Sequence, residues 1–161
     1  MRVIPGQVDR AVVRATLIYR FHPRLHFGVE FNPKVGEVHP LVTFIPITET
    51  RNRPAVILGF SSDRIGTPKG SSIYATASKD LEAWTGLPIA PYFGVVFGTF
   101  EHRFRPIGGL NVRLRKDLST LIQFDGVKVH PTLTYTFNPT HSLTLLMIRG
   151  KSPGMTYTFS F

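Results

Sequence analysis

The chain has 161 residues, which suffices for one compact domain and is too short for two comfortable ones, so we expect a single domain over residues 1–161. It contains no cysteine, which excludes a disulfide framework and thiolate metal ligands. Nineteen Lys and Arg residues against ten Asp and Glu residues give a formal net charge of +9, which predicts attraction to phosphate, lipid headgroups or nucleic acid without choosing among them.

The start of the chain, Met1 to Gly6, contains no apolar run of the length that a secretory signal needs. We therefore expect either that a signal has been removed from this numbering or that the protein is not secreted. No apolar run approaches about 18 residues, so no transmembrane helix is predicted. A transmembrane barrel would escape such a search, because its apolar residues alternate with polar ones.

Alternation is the dominant pattern from Arg10 onwards. Helical periodicity is nearly absent, and period-two segments recur between clusters of Gly, Pro and Asn, which predicts an all-β chain. The first predicted strand, Arg10 to Phe21, has one apolar face and an opposite face with three arginines. A short turn over His22 to Arg24 leads into a second strand, Leu25 to Phe31, so the two strands are predicted to form a hairpin.

The middle of the chain is predicted to hold further strands, over residues 39–50, 55–62, 72–78, 91–100 and, weakly, 82–87, which could instead be a loop. Residues 62–71 form the most loop-like segment and are expected at a barrel mouth. Gly94 and Gly98 lie on one face of the strand over 91–100, where small inward residues would permit bending. Residues Phe104 to Gly109 are predicted to turn.

The last third is predicted to form strands over residues 110–115, 119–124, 128–137, 142–149 and 154–161. Asp125 and Gly126 are a typical two-residue hairpin signal. The predicted total is about 12 strands, or about 10 if the weak segments merge into loops, and an even number brings both chain ends to the same side, as in bacterial barrels.

The last predicted strand, Gly154 to Phe161, carries the clearest functional pattern. Met155, Tyr157, Phe159 and Phe161 share one face, and only short hydroxyl side chains occupy the other. This strand resembles the C-terminal signature of bacterial outer-membrane β-barrel proteins, which their assembly machinery reads. The spacing Ser152-x-Gly154-x-x-Tyr157-x-Phe159 is also similar to the sorting signal of mitochondrial barrels.

The resemblance implies an antiparallel up-and-down transmembrane β-barrel of 10–12 short-looped strands in the bacterial outer membrane, with the mitochondrial outer membrane or the cytoplasm as alternatives. An arginine facing lipid at mid-depth would cost about 2–4 kcal/mol, so Arg14 and Arg113 are expected to face the interior. The residues predicted to line the lumen, as a candidate anion path, are Arg10, Arg14, His26, Glu30, Asn111, Arg113, Arg115, Lys128 and His130. The residues predicted to face lipid are Leu17, Tyr19, Phe21, Phe27, Phe31, Tyr135, Phe137, Tyr157, Phe159 and Phe161.

The function expected on this basis is a small pore, with a preference for anions if the basic lumen is open, or a structural membrane component. The alternative for the lumen is that Arg14, Glu30 and Arg113 pair across the interior and fill it, which would make a plug. Two alternatives belong to other classes: a soluble β-barrel that binds an apolar ligand or nucleic acid, and a membrane-embedded lipid hydrolase. No nucleic-acid partner is expected, because the aromatic residues lie opposite the cations on almost every strand, whereas a stacking platform puts both on one face.

No catalytic residues, cofactor or metal site are predicted. His22 and His26 would be about 13 Å apart along one extended strand, too far to share a metal ion. The partners expected are membrane lipids and the barrel-assembly machinery, and short loops leave room for a homo-oligomer or a partner subunit rather than for a large ligand.

Overall fold

A computed structural model describes residues 1–6, 9–148 and 152–161. Its strands form one closed antiparallel barrel of twelve, in which each strand pairs with its neighbours in sequence. The barrel closes where β1 pairs with both β12 and β2. This confirms an all-β, up-and-down barrel with an even number of strands.

Alternating segments form the strands, and Gly, Pro and Asn clusters separate them. The strands are β1 (Arg2–Val3), β2 (Val13–His22), β3 (Leu25–Asn32), β4 (Glu37–Ile47), β5 (Ala55–Ser62), β6 (Ser71–Ser78), β7 (Ile89–Gly98), β8 (Arg103–Arg113), β9 (Leu118–Phe124), β10 (Val129–Asn138), β11 (His141–Ile148) and β12 (Ser152–Phe159). The described residues also form two helices of four residues each, α1 (Asp9–Val12) and α2 (Glu82–Thr85).

The side chains are arranged with apolar residues outward and polar residues inward. On β10, Leu133 and Tyr135 are about 40% exposed on the outer surface, whereas Thr132 lines the interior. Among the described residues, the buried apolar side chains are only Ile4, Ala11, Leu146 and Ile148. In the part of the chain that the structure describes, the interior is therefore not filled by an apolar core.

The two ends of the barrel differ. Phe161 and the turns at 23–24, 48–54, 79–88, 114–117 and 139–140 lie at one end, which we call the terminal end. The loops at 33–36, 63–70, 99–102 and 125–128, together with helix α1, lie at the other, which we call the plug end. Polar loops thus lie at both rims of the barrel.

Two tyrosines inside the barrel lie over glycines of the neighbouring strand. Tyr74 on β6 is paired with Gly59 on β5, and Tyr92 on β7 is paired with Gly109 on β8. A Cβ atom added at either glycine would overlap the tyrosine ring. These glycines make room for the two largest side chains of the inner wall.

Several predicted boundaries were wrong. Arg10 to Val12 belong to helix α1 rather than to the first strand, which begins at Val13. The weak strand over 82–87 is instead helix α2, which Gly86 ends with a φ of 70°. The predicted turn at Phe104 to Gly109 lies within strand β8, one of the two longest.

The predicted count of about twelve is nevertheless met, because β1, which was not predicted, replaces the strand lost to α2. The last strand ends at Phe159, so Phe161 lies beyond it. The predicted strand over 142–149 ends in Arg149, which lies outside the described residues.

Candidate functional site: a lumen closed by a loop

The interior of the barrel holds a cavity of about 580 Å³. Its wall is mostly hydroxyl and charged side chains, among them threonines at positions 43, 76, 132, 144 and 156. Tyr74 and Tyr92 line it as well. The inward face of each strand supplies these residues because side chains two apart share a face.

The loop over residues 63–70 crosses the cavity at the plug end. It joins β5 to β6, yet Ile65 packs against Ile4, Leu146 and Ile148, and the last two belong to β11. Strand β11 is six positions from β5 around a twelve-strand barrel, so it lies on the opposite wall. The loop therefore spans the lumen, and we call it the plug loop.

Arg10 on helix α1 holds the plug loop in place. Its guanidinium donates hydrogen bonds to the backbone carbonyl oxygens of Asp63, Arg64, Thr67 and Gly70, at 2.9–3.3 Å, and to the Thr67 hydroxyl at 2.5 Å. Arg10 and Thr67 are only 4% and 1% exposed. Burial lowers the pKa of Arg10, and the charges of Glu30 and Glu37 oppose that shift.

A second attachment joins the plug loop to the turn between β7 and β8. Arg64 donates to Glu101 at 2.6 Å, and Arg105 on β8 also binds Glu101. Asp63 accepts a hydrogen bond from the backbone N–H of Phe100 at 3.1 Å. The hydrogen bonds from Arg105 and Arg64 lower the pKa of Glu101 to about 2. Glu101 is therefore a carboxylate over the whole physiological pH range.

A buried polar cluster on the inner wall lies behind the plug loop. Glu30 on β3 is 1% exposed and accepts hydrogen bonds from Arg14 at 2.9 Å, from Asn32 at 3.0 Å and from Ser62 at 2.8 Å. The cluster joins β2, β3 and β5. A carboxylate buried to this degree is stable only when it is paired and hydrogen-bonded, as it is here.

On the facing wall, Asp125 and His130 form a third polar contact, with 2.8 Å between Asp125 Oδ2 and His130 Nε2. Asp125 also accepts hydrogen bonds from the backbone N–H groups of Val127 and Lys128. Burial raises the pKa of Asp125, but the hydrogen bonds from His130, Lys128 and Val127 outweigh it and hold the pKa below its usual value.

The charge of the cavity wall is positive. The lining includes five arginines, Arg2, Arg14, Arg64, Arg103 and Arg105, against the three carboxylates of Asp63, Glu101 and Asp125. A wall with an excess of one sign in a low-dielectric enclosure raises the local concentration of the opposite ion. The cavity is thus suited to small anions, although the plug loop blocks one end.

The terminal end has a separate polar pocket of about 220 Å³ between the strands β7 to β10. Asn111 lines it, Arg113 pairs there with Glu82 of helix α2, and Arg115 pairs with Asp117 at 3.4 Å. We call this pocket the terminal mouth. Its charged side chains are paired with opposite charges, so its electrostatic field is weaker than that of the cavity.

The residues predicted to line the lumen therefore do not form one continuous anion path. Arg14 and His130 line the cavity, and Glu30 lies directly behind it. Asn111, Arg113 and Arg115 are at the terminal mouth, with Arg115 beyond the end of β8. Arg10 lies on helix α1 and Lys128 in the turn before β10, so both were wrongly placed on strands. His26 lies on the inner face of β3 and lines a cavity together with residues of β2 and β12.

The ten residues predicted to face lipid are all exposed on the outer surface, from 43% for Phe31 and Tyr135 to 94% for Phe161. Contact with lipid stays a prediction. Sequence reasoning missed Arg64, Glu101, Arg103 and Arg105. The alternation of Arg103 and Arg105 with Phe104 was the signal that could have placed two of them on an inner face.

Comparison with protein families, with curated proteins and with solved structures finds no match for this chain. In the described part of the chain, no helix is long and apolar enough to cross a membrane. The same residues contain no group of three or more His, Asp or Glu side chains placed to hold a metal ion.

Proposed function

We propose that this protein is an integral β-barrel of the bacterial outer membrane, and that it is a small anion-favouring pore held shut by the plug loop. The observation that carries the proposal is the outward apolar surface around a polar, positively charged interior. In water such a surface would be costly, because large exposed apolar patches on soluble proteins mark interaction sites. In a bilayer it is the surface that transmembrane barrels present.

The dimensions of the barrel support a membrane location. Apart from β1, the strands are 7–11 residues long, and a tilted transmembrane strand needs about 9–11 residues. Exposed aromatic residues lie towards both rims, with Tyr19, Phe21 and Phe137 at the terminal end and Phe31, Phe104 and Phe124 at the plug end. Aromatic girdles at the two interfaces are typical of transmembrane barrels.

The membrane location is tested by fractionation and by gel mobility. We expect the protein to sediment with outer membranes and, after refolding in detergent, to migrate differently before and after boiling, because a closed barrel resists dodecyl sulfate until it is heated. Recovery of a folded monomer from the soluble fraction in buffer without detergent would reject the membrane location and favour a soluble barrel.

The pore is tested by releasing the plug loop. The wild-type protein in planar bilayers should conduct rarely, and Arg10→Ala should raise the open fraction because it removes all five hydrogen bonds to the loop. Arg51→Ala, at an exposed turn of the terminal end, is the matched control and should behave as wild type. Silence of Arg10→Ala at every voltage, with a folded barrel, would reject the pore.

The anion preference is tested on the open variant. In a salt gradient, the reversal potential of Arg10→Ala should indicate anion selectivity, and Arg103→Gln added to it should reduce that selectivity, because Arg103 lines the cavity. Equal selectivity with and without Arg103 would reject a lumen that selects by charge.

A second candidate is a structural membrane component without conductance. The contacts that favour it are the ion pairs Arg14–Glu30 and Arg64–Glu101, which fill part of the lumen near the plug end. The partners proposed in either case are the lipids around the barrel and the assembly machinery that would recognise β12.

A further inference from the structure

Four inward side chains form one row on the wall of the cavity. They lie on the neighbouring strands β11, β12, β1 and β2 and are paired directly in register: Thr144, Thr156, Arg2 and Arg14. All four line the cavity of about 580 Å³. Because Arg2 has a ladder partner on each side, the register fixes its side chain on the inner wall. We call these four residues the arginine row.

Two like charges lie directly opposite each other in the arginine row. Residues paired in register on antiparallel strands have Cα atoms about 4.5–5.5 Å apart, so the guanidinium groups of Arg2 and Arg14 extend into the same part of the cavity. Like charges at directly opposite positions destabilise a sheet. An anion bound between the two groups would replace this repulsion by attraction.

The carboxylate that reaches the arginine row serves only one of the two arginines. Glu30 accepts a hydrogen bond from Arg14 at 2.9 Å, and it also accepts hydrogen bonds from Asn32 and Ser62. Arg2 forms no ion pair with a carboxylate of the described residues, and its Nε atom is buried without a hydrogen-bond partner. Burial of a charged donor is costly unless the donor is paired. The guanidinium of Arg2 thus has free capacity for an acceptor.

The other three carboxylates of the cavity wall, Asp63, Glu101 and Asp125, have their hydrogen-bond partners near the plug loop or at the start of β10. None of the three is paired with Arg2. Lipid headgroups would lie outside the barrel, whereas the arginine row faces its interior. An anion that binds Arg2 must therefore enter from the water phase.

The donors of the arginine row define the class of anion. A guanidinium presents its N–H groups as a planar fork, which matches two oxygens of an oxyanion. Two such forks on neighbouring strands offer more donors than the two oxygens of a carboxylate can accept in one plane, and the Thr156 hydroxyl adds another donor. A tetrahedral oxyanion has four oxygens directed away from one centre, so phosphate fits this set of donors better than a carboxylate or chloride does.

We propose that the arginine row binds inorganic phosphate inside the barrel, between Arg2 and Arg14 and beside the Thr156 hydroxyl. The inference deepens the proposed pore because it names the anion, and it rests on that function only for its physiological role. The binding itself is measured in detergent, where no conduction is needed.

The test is isothermal titration calorimetry of the detergent-refolded protein, with inorganic phosphate added in a chloride buffer. At physiological ionic strength, exposed charges are screened over about 8 Å, so binding that persists there indicates a specific site. The wild-type protein should bind phosphate at a single saturable site. Arg10→Ala is titrated as well, so that slow entry past the plug loop is not mistaken for an absence of binding.

Arg2→Gln should weaken phosphate binding by about tenfold or more, because it removes a charged donor from the site. Arg2→Lys keeps the charge but not the planar fork, and it should weaken binding by a smaller factor. The matched control is Arg20→Gln on the same face of β2, six residues from Arg14 and thus about 20 Å away. It should bind phosphate as the wild type does. Each variant must keep the heat-dependent gel mobility of a folded barrel.

The proposal is overturned if neither wild type nor Arg10→Ala binds phosphate, or if acetate at equal concentration displaces phosphate. It is also overturned if Arg20→Gln or Arg103→Gln weakens binding as much as Arg2→Gln does, because the field of the whole lumen would then account for the binding. Phosphate binding by a barrel that is silent in bilayers would support the site and reject the pore. Conduction without saturable phosphate binding would support the pore and reject the site.

Discussion

Arg10 and Arg64 fix the same loop by chemically different means. Arg10 binds mainly backbone carbonyl oxygens, which do not titrate, whereas Arg64 binds the carboxylate of Glu101. Only the second attachment depends on the protonation of its acceptor, so acid should weaken one side of the plug loop and not the other.

We therefore predict that the plug loop loosens in acid. Hydrogen bonds from Arg105 and Arg64 lower the pKa of Glu101 from 4.5 to about 2 in the folded protein. A lowered pKa means that the carboxylate stabilises the attached loop above pH 4.5, and that this stabilisation is lost as the pH falls from 4.5 towards 2. The chain has no cysteine, so Lys69→Cys on the exposed side of the loop allows a single spin label.

The mobility of that label, measured by electron paramagnetic resonance, should rise between pH 4.5 and pH 2. In Glu101→Gln the label should be mobile already at neutral pH, and the acid step should disappear. A label on Glu49→Cys, in a turn at the terminal end, is the control for general acid unfolding. An acid step of the same size in Glu101→Gln would show that another group holds the loop.

At the scale of the strand, the packing of tyrosine over glycine sets the inner wall between β5 and β8. We predict that Gly59→Ala destabilises the barrel by about 1–3 kcal/mol, because the added methyl group overlaps the Tyr74 ring. Unfolding by urea in lipid vesicles measures the change. Tyr74→Ser removes the ring. In the Tyr74→Ser background, Gly59→Ala should therefore lower the free energy of unfolding only slightly. An additive double mutant would mean that the two residues do not contact.

Strands β12 and β8 show which parts of the fold could be predicted from the sequence. Met155, Tyr157 and Phe159 alternate without interruption, and alternation alone places them on one face. The segment from Arg103 to Gly109 alternates as well, but Pro106 and two adjacent glycines are typical of turns, and they hid strand β8. Pro106 is tolerated there because its nitrogen faces the side of β9, and β8 pairs with β9 only from Gly108 to Arg113, so no ladder hydrogen bond is lost.

The closure of the lumen by a loop could not be predicted, because the contacts of that loop join residues far apart in the chain. Arg10 lies more than 50 positions from every residue of the plug loop, and it binds backbone atoms, which no side-chain pattern reports. Glu101 accepts a hydrogen bond from Arg64, which lies 37 positions earlier in the chain. The alternation of apolar and basic residues along the strands is enough to predict a basic lumen. The crossing of that lumen by a loop depends on the closure of the barrel, which brings β5 opposite β11.

At the scale of the whole molecule, the outer surface distinguishes a membrane barrel from a soluble one. Leu133 lies in the middle of β10 and faces outward beside Leu145 of β11, and both are exposed. In water, a charged residue at such an exposed position changes stability by less than about 0.5 kcal/mol. In a bilayer, the same position is surrounded by hydrocarbon, where an arginine at mid-depth costs about 2–4 kcal/mol.

We predict that Leu133→Arg lowers the free energy of unfolding in lipid vesicles by about 2–4 kcal/mol. The matched control is Thr132→Arg, one residue away on the inner face, where the cavity has room for a long side chain and the charge faces water. Its cost should be smaller, and it should arise from repulsion by Arg103 and Arg105 rather than from burial in lipid. Equal stability of Leu133→Arg and wild type would show that hydrocarbon does not surround β10, because no other feature of that exposed site would penalise the arginine.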